Sequence, residues 1–207
     1  MRIKSYEEMN LQELDVMKEI SSIGTSHAAT SLSKLLQKEI RISIPEVSVL
    51  GYEEAVEKIG EIEELVAATL VQMSNDVNGL ILFIFKMDMA NAVLEKLIGK
   101  EYTSFEDMDE MDYSALEEVG NIIICSYVNA FAQLVGVDID LSVPSSTVNM
   151  LGGILTVPIA EYGNDTDKLI YINAEFIMDG IRLSDGLLML PDIESLNRIL
   201  EKLGVAN

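Results

Sequence analysis

Glu118 and Asn121 are the side chains in this sequence whose types and spacing offer a surface for chemistry. They stand three residues apart in a segment of helical periodicity, so their side chains are neighbours on one face of the predicted helix. Apolar residues at helical spacing define the buried face of that helix: Leu116, Val119, Ile123 and Tyr127. Ser114 and Cys125 fall on the same exposed side as Glu118 and Asn121. The pair could engage one target together; the alternative is that both groups are merely solvated.

Other catalytic machinery is scarce in this sequence. There is one histidine, His27, and one cysteine, Cys125, so neither a Cys/His zinc site nor a Ser-His-Asp arrangement is easy to assemble. A single cysteine cannot form an internal disulfide. The net charge of −21 argues against nucleic acid and anionic lipid as partners, because both require a basic surface.

The exposed pair belongs to the second of two similar halves. Residues 15–24 align with residues 114–123, an offset of 99 positions that Pro45 and Pro144 share. Two later segments also recur in order, residues 78–83 as 185–190 and residues 94–97 as 200–203. Four landmarks in one order indicate an internal duplication. We therefore predict one domain over residues 1–207, made of two repeats at about 10–100 and 111–205.

Each repeat follows the same predicted order of elements. A long helix, at about residues 10–37 or 111–136, leads into a β-rich stretch broken by Pro45 or Pro144. A hairpin follows, residues 65–73 with 79–85 in the first repeat and 169–178 with 186–190 in the second. A shorter helix closes each repeat, and in the second repeat Pro191 suits its first turn and Gly204 its C-terminal cap. This order of elements predicts an α/β (α+β) fold with pseudo-two-fold symmetry. We expect one mostly antiparallel sheet with the long helices packed on it.

No membrane span and no secretory signal are expected. The longest apolar run, Leu80 to Phe85, is far shorter than the roughly 20 residues that a spanning helix needs. The first residues contain neither an apolar core nor a small-residue cleavage site. We therefore expect a cytoplasmic protein.

The spacing Ser114, Glu118, Asn121 and Pro144 resembles the motif of the CheC, CheX and FliY phosphatases of bacterial chemotaxis. The resemblance covers both halves and nearly the whole chain, and within that group it is strongest to the CheC type. It implies a phosphatase that removes the aspartyl phosphate from a CheY-like response regulator. It implies that Asn121 orients the attacking water and that Glu118 pairs with a lysine of the regulator. Since the regulator also supplies Mg²⁺, no cofactor of the chain's own is expected.

The first copy of the motif is degenerate. Asp15, Glu19 and Pro45 are in place, but Ser22 stands where the family has asparagine. Serine is shorter and carries a hydroxyl instead of an amide, so we expect this second site to be weak or inactive. The alternative to a phosphatase is a non-catalytic binding module, like the flagellar protein FliM or a regulator of the receptor deamidase CheD. The resemblance therefore leaves CheD open as a further partner.

Overall fold

The computed structural model describes residues 2–162, 168–183 and 185–205. The first repeat contains α1 (Leu11–Leu36), β1 (Ile40–Ile42), β2 (Glu46–Gly51), α2 (Tyr52–Ile59), β3 (Leu65–Asn75), β4 (Gly79–Phe85) and α3 (Met87–Ile98). The second contains α4 (Glu110–Val135), β5 (Ile139–Leu141), β6 (Ser145–Met150), α5 (Leu151–Tyr162), β7 (Lys168–Asn173), β8 (Phe176–Met178), β9 (Ile181–Leu183), β10 (Asp185–Pro191) and α6 (Ile193–Lys202).

The two long helices begin and end at equivalent residues. The Asn10 side chain accepts hydrogen bonds from the first turn of α1, and Glu13 accepts one from the Asn10 N–H in return. Asp109 and Asp112 form the same reciprocal cap on α4. Both helices end at a left-handed residue, Gln37 (φ 52°) and Gly136 (φ 74°). The predicted extents of both helices are therefore confirmed.

The repeats exchange strands within one antiparallel sheet. Its order is β2-β7-β10-β4-β3-β5, and β6 pairs with β3 beside β5. The two hairpin strands β4 and β10 pair at the centre, from Gly79 with Pro191 to Phe85 with Asp185. Outside them, β2 of the first repeat pairs with β7 of the second, while β6 of the second pairs with β3 of the first. The predicted antiparallel sheet with pseudo-two-fold symmetry is confirmed.

Helices cover both faces of this sheet and give two hydrophobic clusters. The larger cluster lies under α1, α3, α4 and α6, and the smaller one lies under α2 and α5. Alternate residues of the central strands point to opposite clusters, for example Phe83 to the first and Leu82 to the second. All of β4 is buried, as expected for a strand covered on both faces.

Three predictions of local structure were wrong. The β-rich stretches also contain helices, α2 and α5. The strand expected over residues 169–178 is broken at Ala174 and Glu175 into β7 and β8, and β8 joins β1 and β9 in a small separate sheet. Pro191 ends β10 rather than starting a helix, since Asp192 is the N-cap of α6. Gly204 does adopt a left-handed conformation, φ 71°, just after the last turn of α6.

Candidate functional site

The site predicted on α4 is an accessible stripe beside a buried one. Ser114 and Glu118 are exposed, and Asn121 and Cys125 are half-buried. We call these four side chains the second face. The predicted buried stripe lies against the sheet, with Leu116, Val119, Ile123 and Tyr127 each at most 2% exposed. The helix thus holds the carboxylate of Glu118 and the carboxamide of Asn121 on one accessible surface.

Cys125 contacts the carboxamide of Asn121. Its Sγ donates a hydrogen bond to Oδ1 of Asn121 at 3.4 Å, one helical turn away. Burial, followed by the negative charge of Glu118, raises the pKa of the Cys125 thiol, so the sulfur remains protonated at neutral pH and able to donate. The bond restrains rotation of the carboxamide and leaves its NH₂ group and one oxygen lone pair for another molecule.

Gly120 brings this part of α4 close to the sheet. A Cβ at this position would lie 2.4 Å from Oγ1 of Thr69 on β3, so only glycine permits the approach. Thr69 in turn shares a 2.9 Å hydrogen bond with Oγ of Ser146 on β6. A cleft of about 440 Å³ opens between α4 and these strands, lined in part by Ser114 and Glu117. The second face therefore borders a groove along the edge of the sheet.

The equivalent residues of α1 form the first face, made of Asp15, Glu19, Ser22 and Ser26. Asp15, Glu19 and Ser26 are exposed and Ser22 is half-buried. Ser26 stands where α4 has Cys125, but its hydroxyl donates to the main-chain oxygen of Ser22 at 2.6 Å. Glu19 is thus presented as Glu118 is on α4, whereas Ser26, at the position of Cys125, is bonded to the backbone.

Two residues before each motif proline, a serine makes a pair of hydrogen bonds to a distant part of the chain. We call each pair a clamp, and the sequence analysis did not identify them. The N–H of Ser142 donates to the carbonyl of Gln72, and the Ser142 hydroxyl accepts from the N–H of Gln72, each at 3.0 Å. Ser43 makes the same two bonds with Glu175, again at 3.0 Å. The shared offset of 99 positions between Ser43 and Ser142, each two residues before a proline, could have revealed them.

Two further properties bear on the site. Among the described residues there is no group of three or more His, Cys, Asp or Glu side chains that could hold a metal ion. By length and composition α4 could cross a membrane, but half of its most apolar window is buried inside the fold. This helix is a core helix that carries the second face.

The comparisons with known proteins confirm the resemblance. The model of the CheC-like family matches residues 13–49 and 111–148, which include both copies of the motif. The chain is 28% identical over 199 residues to the CheY-P phosphatase CheC of Bacillus subtilis, covering 94% of this chain and 95% of that protein.

Solved structures share the fold at low identity. FliY of Thermotoga maritima is 20% identical with a TM-score of 0.75, covering 95% of this chain and 98% of that one. The FliM middle domain of H. pylori is 13% identical with a TM-score of 0.66, covering 94% and 99%. The CheX-CheY-BeF₃-Mg complex of Borrelia burgdorferi gives 20% identity and a TM-score of 0.52, covering 82% and 95%.

Proposed function

We propose, from the premise that this chain is CheC-like in both of its halves, that it accelerates hydrolysis of the aspartyl phosphate on a CheY-type response regulator in chemotaxis signalling. The observation that carries the proposal is the accessible Glu118 and Asn121 pair on α4, inside the second stretch matched by the family. The names of the Bacillus relative and of the CheX-CheY complex support the same substrate.

The reaction asks little of the phosphatase itself. A water oxygen bonds to phosphorus while the bond from phosphorus to the aspartate oxygen breaks, which releases the regulator's carboxylate and inorganic phosphate with the water's protons. The regulator supplies the acceptor site, a lysine and Mg²⁺, which neutralises the phosphoryl oxygens. The phosphatase then has to hold the water in line with the phosphorus–oxygen bond that breaks. This positioning alone increases the rate by a large factor.

Asn121 is the residue that we assign to this task. Its carboxamide offers a donor and an acceptor in one plane, and the thiol of Cys125 restrains it. Glu118, one turn before it and exposed, would pair with the regulator's lysine and fix the docking geometry. Ser114 and Pro144 support the motif at the start of the face and at the adjoining loop. The first face, with Glu19 and Ser22 and its supporting residues Asp15 and Pro45, lacks the amide and is the degenerate site.

The experiment follows phosphate loss from a phosphorylated CheY-type regulator with and without the protein. We expect Asn121→Ala to lower kcat by about 100-fold, because the water is no longer oriented, with unchanged thermal stability. Glu118→Ala should mainly raise KM. Ser22→Ala is the matched control on the first face and should leave the rate unchanged. An Asn121→Ala variant with wild-type kcat would contradict the assignment.

The second candidate is a non-catalytic module. It is favoured by the FliM fold match and by the missing amide at Ser22, and we keep CheD as its alternative partner. Binding of the regulator without faster phosphate loss would support this candidate. In either case we propose a cytoplasmic protein with no cofactor of its own.

A further inference from the structure

The loops before Pro45 and Pro144 each present one aliphatic side chain to solvent. Ile44 is 78% exposed and Val143 is 86% exposed, and with Leu11 they are the most exposed large hydrophobic residues in the part of the chain that the structure describes. Single exposed hydrophobic residues are common on proteins. These two, however, occupy equivalent positions, 99 residues apart, so the same exposure occurs twice.

The backbone that carries each of these side chains is held in place. The residue before each is a serine held by two hydrogen bonds, Ser142 to Gln72 of β3 and Ser43 to Glu175 in the break between β7 and β8. The residue after each is a proline, which fixes its own φ and restricts the residue that precedes it. Because the backbone is already restrained, little backbone freedom is lost when the aliphatic side chain is buried against a partner.

The loop that carries Val143 lies at the edge of the sheet beside α4, since β5 and β6, the strands on either side of it, both contact α4. Strand β3 runs in the direction of α4, because Ala67 lines the cleft with Tyr113 and Ser114 of the first turns, whereas Thr69 lies under Gly120. Gln72, which holds the Val143 loop through Ser142, is three residues further along β3. The loop therefore stands beside the part of α4 that follows Gly120 and carries Asn121 and Cys125.

We propose that Val143 is an apolar contact that anchors the response regulator next to Asn121. This inference rests on the proposed function and adds an apolar contribution to affinity beside the polar one of Glu118. An ion pair that stays exposed to solvent contributes only modestly to binding, so Glu118 needs a second contact to hold the regulator. A preorganised aliphatic side chain beside them supplies apolar area that becomes buried when the regulator docks.

The test compares Val143→Ser with Ile44→Ser. Ile44 has a similar exposure and an equivalent pair of serine hydrogen bonds, but it belongs to the repeat whose motif lacks the amide. We expect Val143→Ser to raise KM for the phosphorylated regulator about tenfold with kcat within twofold of wild type. Ile44→Ser should leave both constants unchanged, and so should Val157→Ser, an exposed valine on α5 in the opposite helix layer. Val143→Leu, which keeps an aliphatic side chain, should have a KM close to that of wild type.

Direct binding of the regulator in its beryllofluoride-activated form separates this inference from the proposed function. If wild type binds the regulator without turnover, and Val143→Ser weakens that binding tenfold, the anchor stands and the phosphatase assignment fails. If wild type catalyses turnover and Val143→Ser matches Ile44→Ser in KM, the anchor is overturned alone. A wild-type protein that does not bind the regulator overturns both.

Discussion

Ser22 and Asn121 occupy equivalent positions, and only Asn121 has the amide to which we assign the orientation of the attacking water. On α4 the thiol of Cys125 donates to the Asn121 side chain, whereas on α1 the hydroxyl of Ser26 donates to the backbone of Ser22. The difference therefore extends to the residue one turn further on. Serine and threonine in a helix commonly bond back to the preceding turn in this way.

A gain-of-function variant tests the role of that amide. In an Asn121→Ala background, Ser22→Asn should restore activity to about a tenth of the wild-type kcat at most, because the amide returns without a restraining donor. Adding Ser26→Cys should raise kcat further, since a thiol at this position matches Cys125. The measurement is phosphate release from the phosphorylated regulator.

The matched control for this experiment is Ser22→Asp, which has nearly the shape of asparagine but lacks its donor NH₂ group. It should remain inactive. If Ser22→Asn is also inactive while the regulator still binds, the missing amide does not by itself account for the inactivity that we expect of the first face.

At the level of elements, the start of α4 depends on a buried carboxylate. Asp112 is fully buried and bonds to the N–H of Asp109, to Lys100 Nζ at 2.9 Å and to the Tyr102 hydroxyl. Burial by itself raises the pKa of Asp112, but these three partners outweigh it and the net pKa is lowered. The pKa of Asp109 is lowered chiefly by Lys100. The segment that joins the repeats is thus tied to the helix that carries the second face.

These lowered pKa values predict a loss of stability in acid. Carboxylates whose pKa is lowered by folding stabilise the folded state above their unfolded value, about 3.9 for Asp, and this contribution is lost as pH falls through the folded value. We expect Asp112→Asn to be less stable at pH 7 by about 1 kcal/mol, because neutral hydrogen bonds replace those to a carboxylate, and to show a weaker acid dependence. Urea unfolding at several pH values measures both effects. Asp140→Asn, which removes an equal but exposed charge, should behave like wild type.

The elements that the sequence predicted well are those with strong local signals. The motif helices have caps and long apolar stripes, and the first hairpin has a turn rich in Asn, Asp and Gly. Helix α5 was missed because Gly152, Gly153 and Pro158 are poor helix formers, and burial of Leu151, Ile154 and Leu155 outweighs them.

Features that depend on distant strands could not be predicted in this way. The break between β7 and β8 arises because β7 pairs with β2 while β8 pairs with β1, and no local residue marks it.

Within the candidate site, helical spacing placed Glu118 and Asn121 on one accessible face. The bond from Cys125 to Asn121 depends on side-chain orientation, which the sequence pattern does not contain.

For the whole molecule, the exchange of strands makes each repeat depend on the other. Helices α1 and α4 also meet across the repeats, where a Cβ on Gly24 would lie 2.6 Å from the ring of Tyr127. The prediction of one domain therefore implies one unfolding transition. We expect Gly24→Ala to destabilise the protein by about 1 to 3 kcal/mol through this overlap, lowering a single Tm for both repeats.

Scanning calorimetry measures this transition. Gly153→Ala is the matched control, because its added Cβ meets Asn149 at an ordinary 3.5 Å. Two separate transitions, of which Gly24→Ala shifts only one, would show that the repeats unfold as independent domains.

The exchanged strands also bear on how the two faces came to differ. A single repeat does not contain the outer strand that pairs with its own hairpin. Two identical copies would therefore complete one sheet only if each supplied its β2 or β6 strand to the other. In such a symmetric pair every substitution appears on both faces at once. Joining the copies in one chain removes that constraint, and a serine can replace the amide on one helix while the other keeps it. The shared sheet preserves the architecture while each face is free to acquire its own partner.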